Sequence, residues 1–347
     1  EFITNENPYV QKSDLIPKDE IPPLPPRSED LPDPSNMIHQ FGATNMPHPL
    51  DPQSDRKVQI MFRKYDNNVI TYQVLGPMHY VEEGTGELAI LLHGFPEFWY
   101  GWKKQIPVLS KHYRVIAPDM RGYNLSDKPG KFSDYKIDVL AKDIAELIKA
   151  FGQEKAIVVG HDWGAAVAWA VAALHPDVVK KLAILNVPHP AKMQQAFMKF
   201  NFSQWKKSWY IFFFQLPFLP EKFVSNKDFF RKTFDAMCIR KNIFTEDDFK
   251  KYEEAYSQPG MITAAINYYR SAFRGVMSGP KFPKIKAPVM MLWGEHDKAL
   301  GKELTYNTER FCENSFEIHY DNTSGHFIQH ENPEWVNEKL LKFFAQA

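Results

Sequence analysis

The sequence predicts an α/β fold in which a mainly parallel sheet, flanked by helices, is interrupted by a helical insertion. Three observations predict it. Short apolar runs recur without polar alternation, the pattern of strands buried on both faces. Amphipathic helical stretches alternate with those runs, the order that lays helices over a parallel sheet. One long interval, 189–281, is aromatic, helical in period and free of any buried-strand pattern.

The elements follow in chain order. Residues 1–55, with KDEIPPLPPRSEDLPDPSN among them, are rich in Pro, Asp, Asn and Ser and show no apolar period. They read as an extension without catalytic duty. A first core part, 56–188, opens with KVQIMFRKY and NVITYQVLG as paired strands around a turn at Asn67-Asn68, followed by MHYVEEG. ELAILLHG and YRVIAPD are the first buried runs. VLAKDIAELIKAFG is an amphipathic helix that Gly152 stops. KAIVVG, the helix AAVAWAVAALHP and the strand KLAILNVP complete this part. After the 189–281 insertion, a second core part, 282–347, supplies APVMMLWG, SFEIHYDN and the closing helix EWVNEKLLKFFAQA. An all-helical insertion between two such strands is expected as a lid over the sheet's C-terminal edge, where ligands bind.

Composition narrows the function. A chain of 347 residues with 44% hydrophobic content can bury a large core. Lys+Arg and Asp+Glu stand at 42 each, so no long-range field draws the chain to nucleic acid or to an anionic membrane. Cys238 and Cys312 are too few for a disulfide framework or a cysteine-rich zinc site. WYIFFFQLPFLP, Trp209 to Pro220, is too short and too proline-broken to span a bilayer. The expectation is a soluble protein, cytoplasmic or exported after removal of a signal not present in this sequence.

The chemistry centres on Gly160-His161-Asp162-Trp163-Gly164, set between the strand KAIVV and the helix AAVAWAVAAL. This resembles the nucleophile elbow of the α/β-hydrolase fold, with Asp162 where many members keep serine. An Asp at this place also suits a plain helix N-cap, but no G-x-S-x-G occurs elsewhere to compete with it. Downstream, in the order that fold requires, Asp297 follows the strand in VMMLWGEHD, with Glu295 as a nearby rival, and His326 follows the next strand in NTSGHFIQHENP. His330 stands four residues after His326 without the glutamate of a zincin motif, so no metal site is read. After LLHG, the Phe95 N–H is the expected first oxyanion donor and the Trp163 N–H the second.

HGFPEFWYGW, PDMRGYNLSDKP, GHDWGAAVAW, NVPHP, WGEHD and SGHFIQHENPE together resemble the soluble epoxide hydrolases of the α/β-hydrolase superfamily, from about Val58 to the C-terminus. The resemblance implies two lid tyrosines that hold the epoxide oxygen. Tyr210 ahead of FFFQLP and Tyr269 in Asn267-Tyr268-Tyr269-Arg270 are the counterparts. It also implies a cis Phe95–Pro96 bond. Trp99, Phe213, Phe214 and Phe327 are the expected substrate pocket. The aromatic lid run, which also holds Trp205, Trp209 and Phe212, points to lipophilic substrates.

The implied reaction opens a small lipophilic epoxide with water to a vicinal diol, through an alkyl ester on Asp162. It uses no cofactor, no metal, no nucleic acid and no membrane span, in a monomer or a homodimer. A carboxylate suits this reaction because an epoxide has no carbonyl: the ester's hydrolysable carbonyl then belongs to the enzyme. The alternative is a haloalkane or fluoroacetate dehalogenase with the same nucleophile. Trp163 fits half of its halide cradle, but Phe95 supplies no side-chain N–H for the other half. A non-catalytic receptor on the same fold is the rival of another class.

Overall fold

The computed structural model describes residues 59–65, 68–75, 78–198, 202–275 and 282–346. The extension 1–55 lies outside them. Three strands, β1 (Gln59–Tyr65), β2 (Asn68–Leu75) and β3 (Met78–Glu83), form an antiparallel ladder. Tyr65 lies opposite Asn68, so Asn68 opens β2 instead of belonging to the expected turn. The β-branched run Val69-Ile70-Thr71 carries the ladder back to Asn68, whose own weak strand preference does not decide the pairing.

From β3 the sheet passes into its parallel part. β4 (Leu88–Leu92), β5 (Arg114–Pro118), β6 (Ala156–His161), β7 (Val179–Leu185), β8 (Val289–Gly294) and β9 (Phe316–Asp321) extend one sheet in the order β1-β2-β3-β5-β4-β6-β7-β8-β9. β4, β6 and β8 are buried along their whole length, as their unbroken apolar runs require. The chain goes from β4 outward to β5, then returns to place β6 on the other side of β4. This reversal opens a crevice at the C-terminal ends of β4 and β6, the place where open α/β sheets bind ligands.

Helix α1 (Ile137–Ala150) buries Leu140, Ile144, Leu147 and Ile148 on one face, each worth about 1.5–3 kcal/mol of apolar burial. It stops where Gly152 takes φ +71° and donates its N–H to the Lys149 carbonyl. Helix α2 (Trp163–Leu174) is apolar nearly all round and lies inside the molecule, against β4, β6 and β7.

Between β7 and β8 the described residues form α3 (Pro190–Met198), α4 (Phe202–Lys207), α5 (Trp209–Phe213), α6 (Leu219–Val224), α7 (Phe229–Met237), α8 (Glu246–Tyr256) and α9 (Met261–Gly275), with no strand among them. α8 opens on a reciprocal cap: Thr245 Oγ1 accepts from the Asp248 N–H, and Asp248 Oδ2 accepts from the Thr245 N–H. Asp248 then accepts from the Tyr100 hydroxyl at 2.8 Å, Tyr252 donates to Glu97 at 3.1 Å, and Tyr268 donates to the Arg121 carbonyl at 2.7 Å. Gln204 donates to the Ala299 carbonyl at 2.9 Å. All four core partners follow the C-terminal ends of β4, β5 or β8, so these bonds seat the helical insertion as a lid over that edge. A last helix, α10 (Pro333–Phe344), closes the chain. No described helix is long and apolar enough to cross a membrane.

Candidate active site

β4 and β6 are neighbours, with Leu92 opposite Gly160. The loops that leave them therefore run side by side. Asp162 stands in the turn from β6 into α2 with φ 50° and ψ −122°, a conformation L side chains rarely take. The turn is tight because α2 presses on the neighbouring strand end: a Cβ on Gly164 would stand 2.1 Å from the Leu92 carbonyl oxygen. Strain of this kind lifts the Asp162 side chain clear of the sheet, with 16% of it exposed. Asp162 makes no side-chain cap bond to α2, so the bland N-cap role is not the one observed.

The Phe95 N–H donates to Asp162 Oδ1 at 2.7 Å. The Phe95–Pro96 bond is cis, as the resemblance implied. His93 anchors this loop: its Nε2 accepts from the Met120 N–H at 3.0 Å and its Nδ1 contacts the Gly94 carbonyl at 3.0 Å. Trp163 is the first residue of α2, directly after Asp162, and its ring packs edge-on to Tyr269 at 5.0 Å.

Asp297 follows β8 and His326 follows β9. His326 Nδ1 lies 2.7 Å from Asp297 Oδ2, and its Nε2 lies 3.5 Å from Asp162 Oδ2. Glu295, the rival acid, sits nearer the surface and pairs with Lys302. Asp297 Oδ1 accepts from the N–H groups of Ala299 and Leu300 at 2.7 and 2.9 Å.

These three groups set one another's charge. Burial opposes a charge on His326, but the carboxylates of Asp297 and Asp162 outweigh it and push the imidazole up to about 10. Burial likewise opposes charge on Asp162, yet the His326 hydrogen bond and charge, with the Phe95 N–H, hold its carboxyl below the ordinary range. Asp297 is held low in the same way, by His326, Asn186 and the Leu300 N–H against its burial. All three shifts favour an imidazolium between two carboxylates in the resting site.

Above it stand the lid tyrosines. Tyr210 leaves α5 and Tyr269 leaves α9, their ring centres 5.9 Å apart. Tyr269 packs edge-on to Phe95 at 5.5 Å. Burial first, then the charge of Asp162, raises both phenols far above their ordinary value, so both keep their protons at neutral pH. Tyr268, the neighbour of Tyr269, turns its hydroxyl to the Arg121 carbonyl.

The expected pocket residues divide. Phe214 joins the site, with its ring 4.7 Å from Tyr269 and 5.6 Å from Phe95. Phe327 packs against His326 at 5.1 Å. Trp99 meets Phe98 and Tyr100, and Phe213 meets Trp209, Phe214 and Phe223; these ring partners include none of Asp162, Asp297 and His326.

Two features escaped sequence reasoning. Asn186, just after β7, donates from Nδ2 to Asp297 Oδ2 at 2.8 Å. Glu97, fully buried, gathers His161, Gln329, His330 and Tyr252 around its carboxylate. His161 Nε2 in turn donates to the His326 carbonyl at 2.8 Å, so this cluster supports the backbone that carries His326. No local pattern marks either residue, because their partners come from β8, the lid and the His326 loop.

A family model described as the alpha/beta hydrolase fold matches residues 89–333. The AB hydrolase superfamily protein YfhM of Bacillus subtilis is 46% identical over 74% of this chain and 90% of its own length. Epoxide hydrolase 2 of Caenorhabditis elegans is 37% identical over 78% of this chain and 77% of its own. Among solved structures, the Bacillus megaterium epoxide hydrolase in complex with an inhibitor superposes with a TM-score of 0.72 at 29% identity, over 82% of this chain and 100% of that one.

Proposed function

The chain belongs to the α/β-hydrolase family, and within it to the epoxide hydrolases; from that membership we propose that it converts lipophilic epoxides to vicinal diols through an ester on Asp162. The observation that carries this reading is a carboxylate, not a hydroxyl, in the elbow turn beneath two protonated phenols. Asp162 Oδ2 attacks a ring carbon and breaks its bond to the epoxide oxygen. Tyr210 and Tyr269 donate hydrogen bonds to that oxygen as negative charge develops on it.

Proton balance follows from the resting charges. Esterification removes the negative charge of Asp162, one of the two carboxylates that keep His326 protonated. The imidazolium proton then passes to the opened oxygen, by way of tyrosine or solvent. Neutral His326, held by Asp297, takes a proton from a water molecule whose oxygen attacks the Asp162 carbonyl carbon. The N–H groups of Phe95 and Trp163 receive the oxyanion. Collapse releases the diol and restores carboxylate and imidazolium. Epoxide and water are the only reactants.

The dehalogenase alternative shares the ester but not a use for the two phenols, and Phe95 offers a halide no side-chain donor. Intact-mass measurement with styrene oxide tests the proposal. The His326→Gln chain should accumulate one substrate adduct per molecule, Asp162→Ala should show none, and the parent should release diol. An adduct on the alanine variant, or steady diol release by the glutamine variant, would refute the assignments.

A further inference from the structure

The lid's outer face holds a feature the reaction does not use. Phe218 is 84% exposed and takes φ 61°, a left-handed backbone that a bulky side chain disfavours. Neither burial nor local geometry repays that position. In the same stretch of chain Trp209 is 59% exposed, and Leu216, Leu219 and Phe223 are exposed as well. The rings are continuous: Trp209 meets Phe213 at 5.9 Å, and Phe213 meets Phe223 at 5.6 Å. A connected apolar surface of this kind marks an interaction site.

Its charge identifies the occupant. Residues 189–281 hold fifteen Lys and Arg against eight Asp and Glu, on a chain that is neutral as a whole. Lys206, Lys207, Lys222 and Lys227 flank the apolar residues. The acids nearest in sequence are already paired, Glu221 with Arg270 and Asp228 with Lys232.

We propose that this face, centred on Phe218, Leu219 and Phe223 and flanked by those four lysines, docks the lid on an anionic lipid bilayer. Exposed aromatic and aliphatic side chains enter the headgroup boundary, and lysines beside them meet anionic headgroups. A second copy of this chain fits less well, because a two-fold contact would set the same lysines against each other. The docking is peripheral and needs no spanning helix. It does not depend on which reaction the site performs.

Co-sedimentation of the full chain with vesicles tests it. Binding should be strong on phosphatidylcholine vesicles with a third of the lipid replaced by phosphatidylserine, and at least about tenfold weaker on phosphatidylcholine alone. Phe218→Gly removes the ring and suits the left-handed backbone, so it should weaken binding by about tenfold without lowering the melting midpoint. Lys206→Glu with Lys207→Glu should weaken binding to the anionic vesicles only. Equal binding to both vesicle types, no binding to either, or unchanged binding by Phe218→Gly would overturn the proposal. So would a lipid-free dimer that Phe218→Gly dissociates, which would assign the face to a second copy.

Discussion

Asn186 donates to the same Asp297 oxygen that contacts His326: Nδ2 to Oδ2 is 2.8 Å, beside 2.7 Å from His326 Nδ1. Its own Oδ1 accepts the Gly294 N–H at 3.0 Å, which ties the acid's orientation to the end of β8. Asn186 also takes φ 50°, so an alanine there would mix strain with the lost bond. Asn186→Gly separates the two. A hydrogen bond to a charged group is worth about 1.5–3 kcal/mol, so kcat should fall by roughly 10- to 100-fold. KM should hardly move, because Asn186 acts through Asp297. Steady-state kinetics with styrene oxide reads both.

Charge coupling makes a pH prediction. The folded-state pKa of His326, about 10, lies above the ordinary imidazole value, so the stabilisation from its charged form is complete at pH 6 and is lost as pH rises toward 10. Asp162 and Asp297 are depressed, so their share is present at neutral pH and is lost only in acid. Thermal melting should therefore show the parent losing stability between about pH 7 and pH 10 more steeply than His326→Gln does. Asp162→Asn imitates the charge loss on esterification, and the His326 titration, followed by nitrogen NMR, should then move down toward neutral. An unmoved titration would contradict the proton balance proposed for the ester step.

Close approach at the elbow makes another. A Cβ on Gly94 would stand 2.3 Å from Asp162 Cβ and 2.6 Å from its Oδ1. Both are far inside contact distance, and the Asp162 carboxylate is what has to move. Overpacking of this kind costs about 1–3 kcal/mol of stability. Gly94→Ala should lower the melting midpoint modestly but abolish the Asp162 adduct in intact-mass measurement. A variant that still alkylates at the parental rate would mean the loop yields in place of the carboxylate.

Much of this was legible in the residues, for local reasons. β4, β6 and β8 are short apolar runs whose burial on both faces leaves no other reading, and α1 ends at its glycine. Asp162 and Asp297 each follow such a strand and His326 follows the half-buried β9, so finding the strands located the site. Asn186 was not legible, because its role depends on β7 lying beside β8, a long-range pairing. Glu97 reads as a surface acid until the lid's Tyr252 and the His326 loop close over it. The direction of the Trp99 and Phe213 rings, and the left-handed backbone of Phe218, depend on lid packing that no local pattern encodes.

The lid tyrosines decide the reaction class. Tyr210 and Tyr269 reach the site from separate helices, α5 and α9, with ring centres 5.9 Å apart, and burial with the nearby Asp162 charge keeps both protonated. If both donate to the epoxide oxygen, Tyr→Phe at either removes one donor and leaves the other. The loss should fall on ring opening and hardly on hydrolysis of an ester already formed. One oxyanion-type donor is worth about 2.7–4 kcal/mol, so alkylation should slow by roughly 10²–10³ in each single variant. The double variant should lose nearly all turnover. If the rings serve only packing, Phe preserves their shape and the rate stays close to the parent's. A dehalogenase would tolerate both changes as well, because its leaving group is a halide held elsewhere. Single-turnover measurement separates alkylation from hydrolysis and so reads the predicted step directly. A double variant that alkylates within about threefold of the parent, well under the tenfold that 1.4 kcal/mol represents, would sink the epoxide reading and favour the dehalogenase.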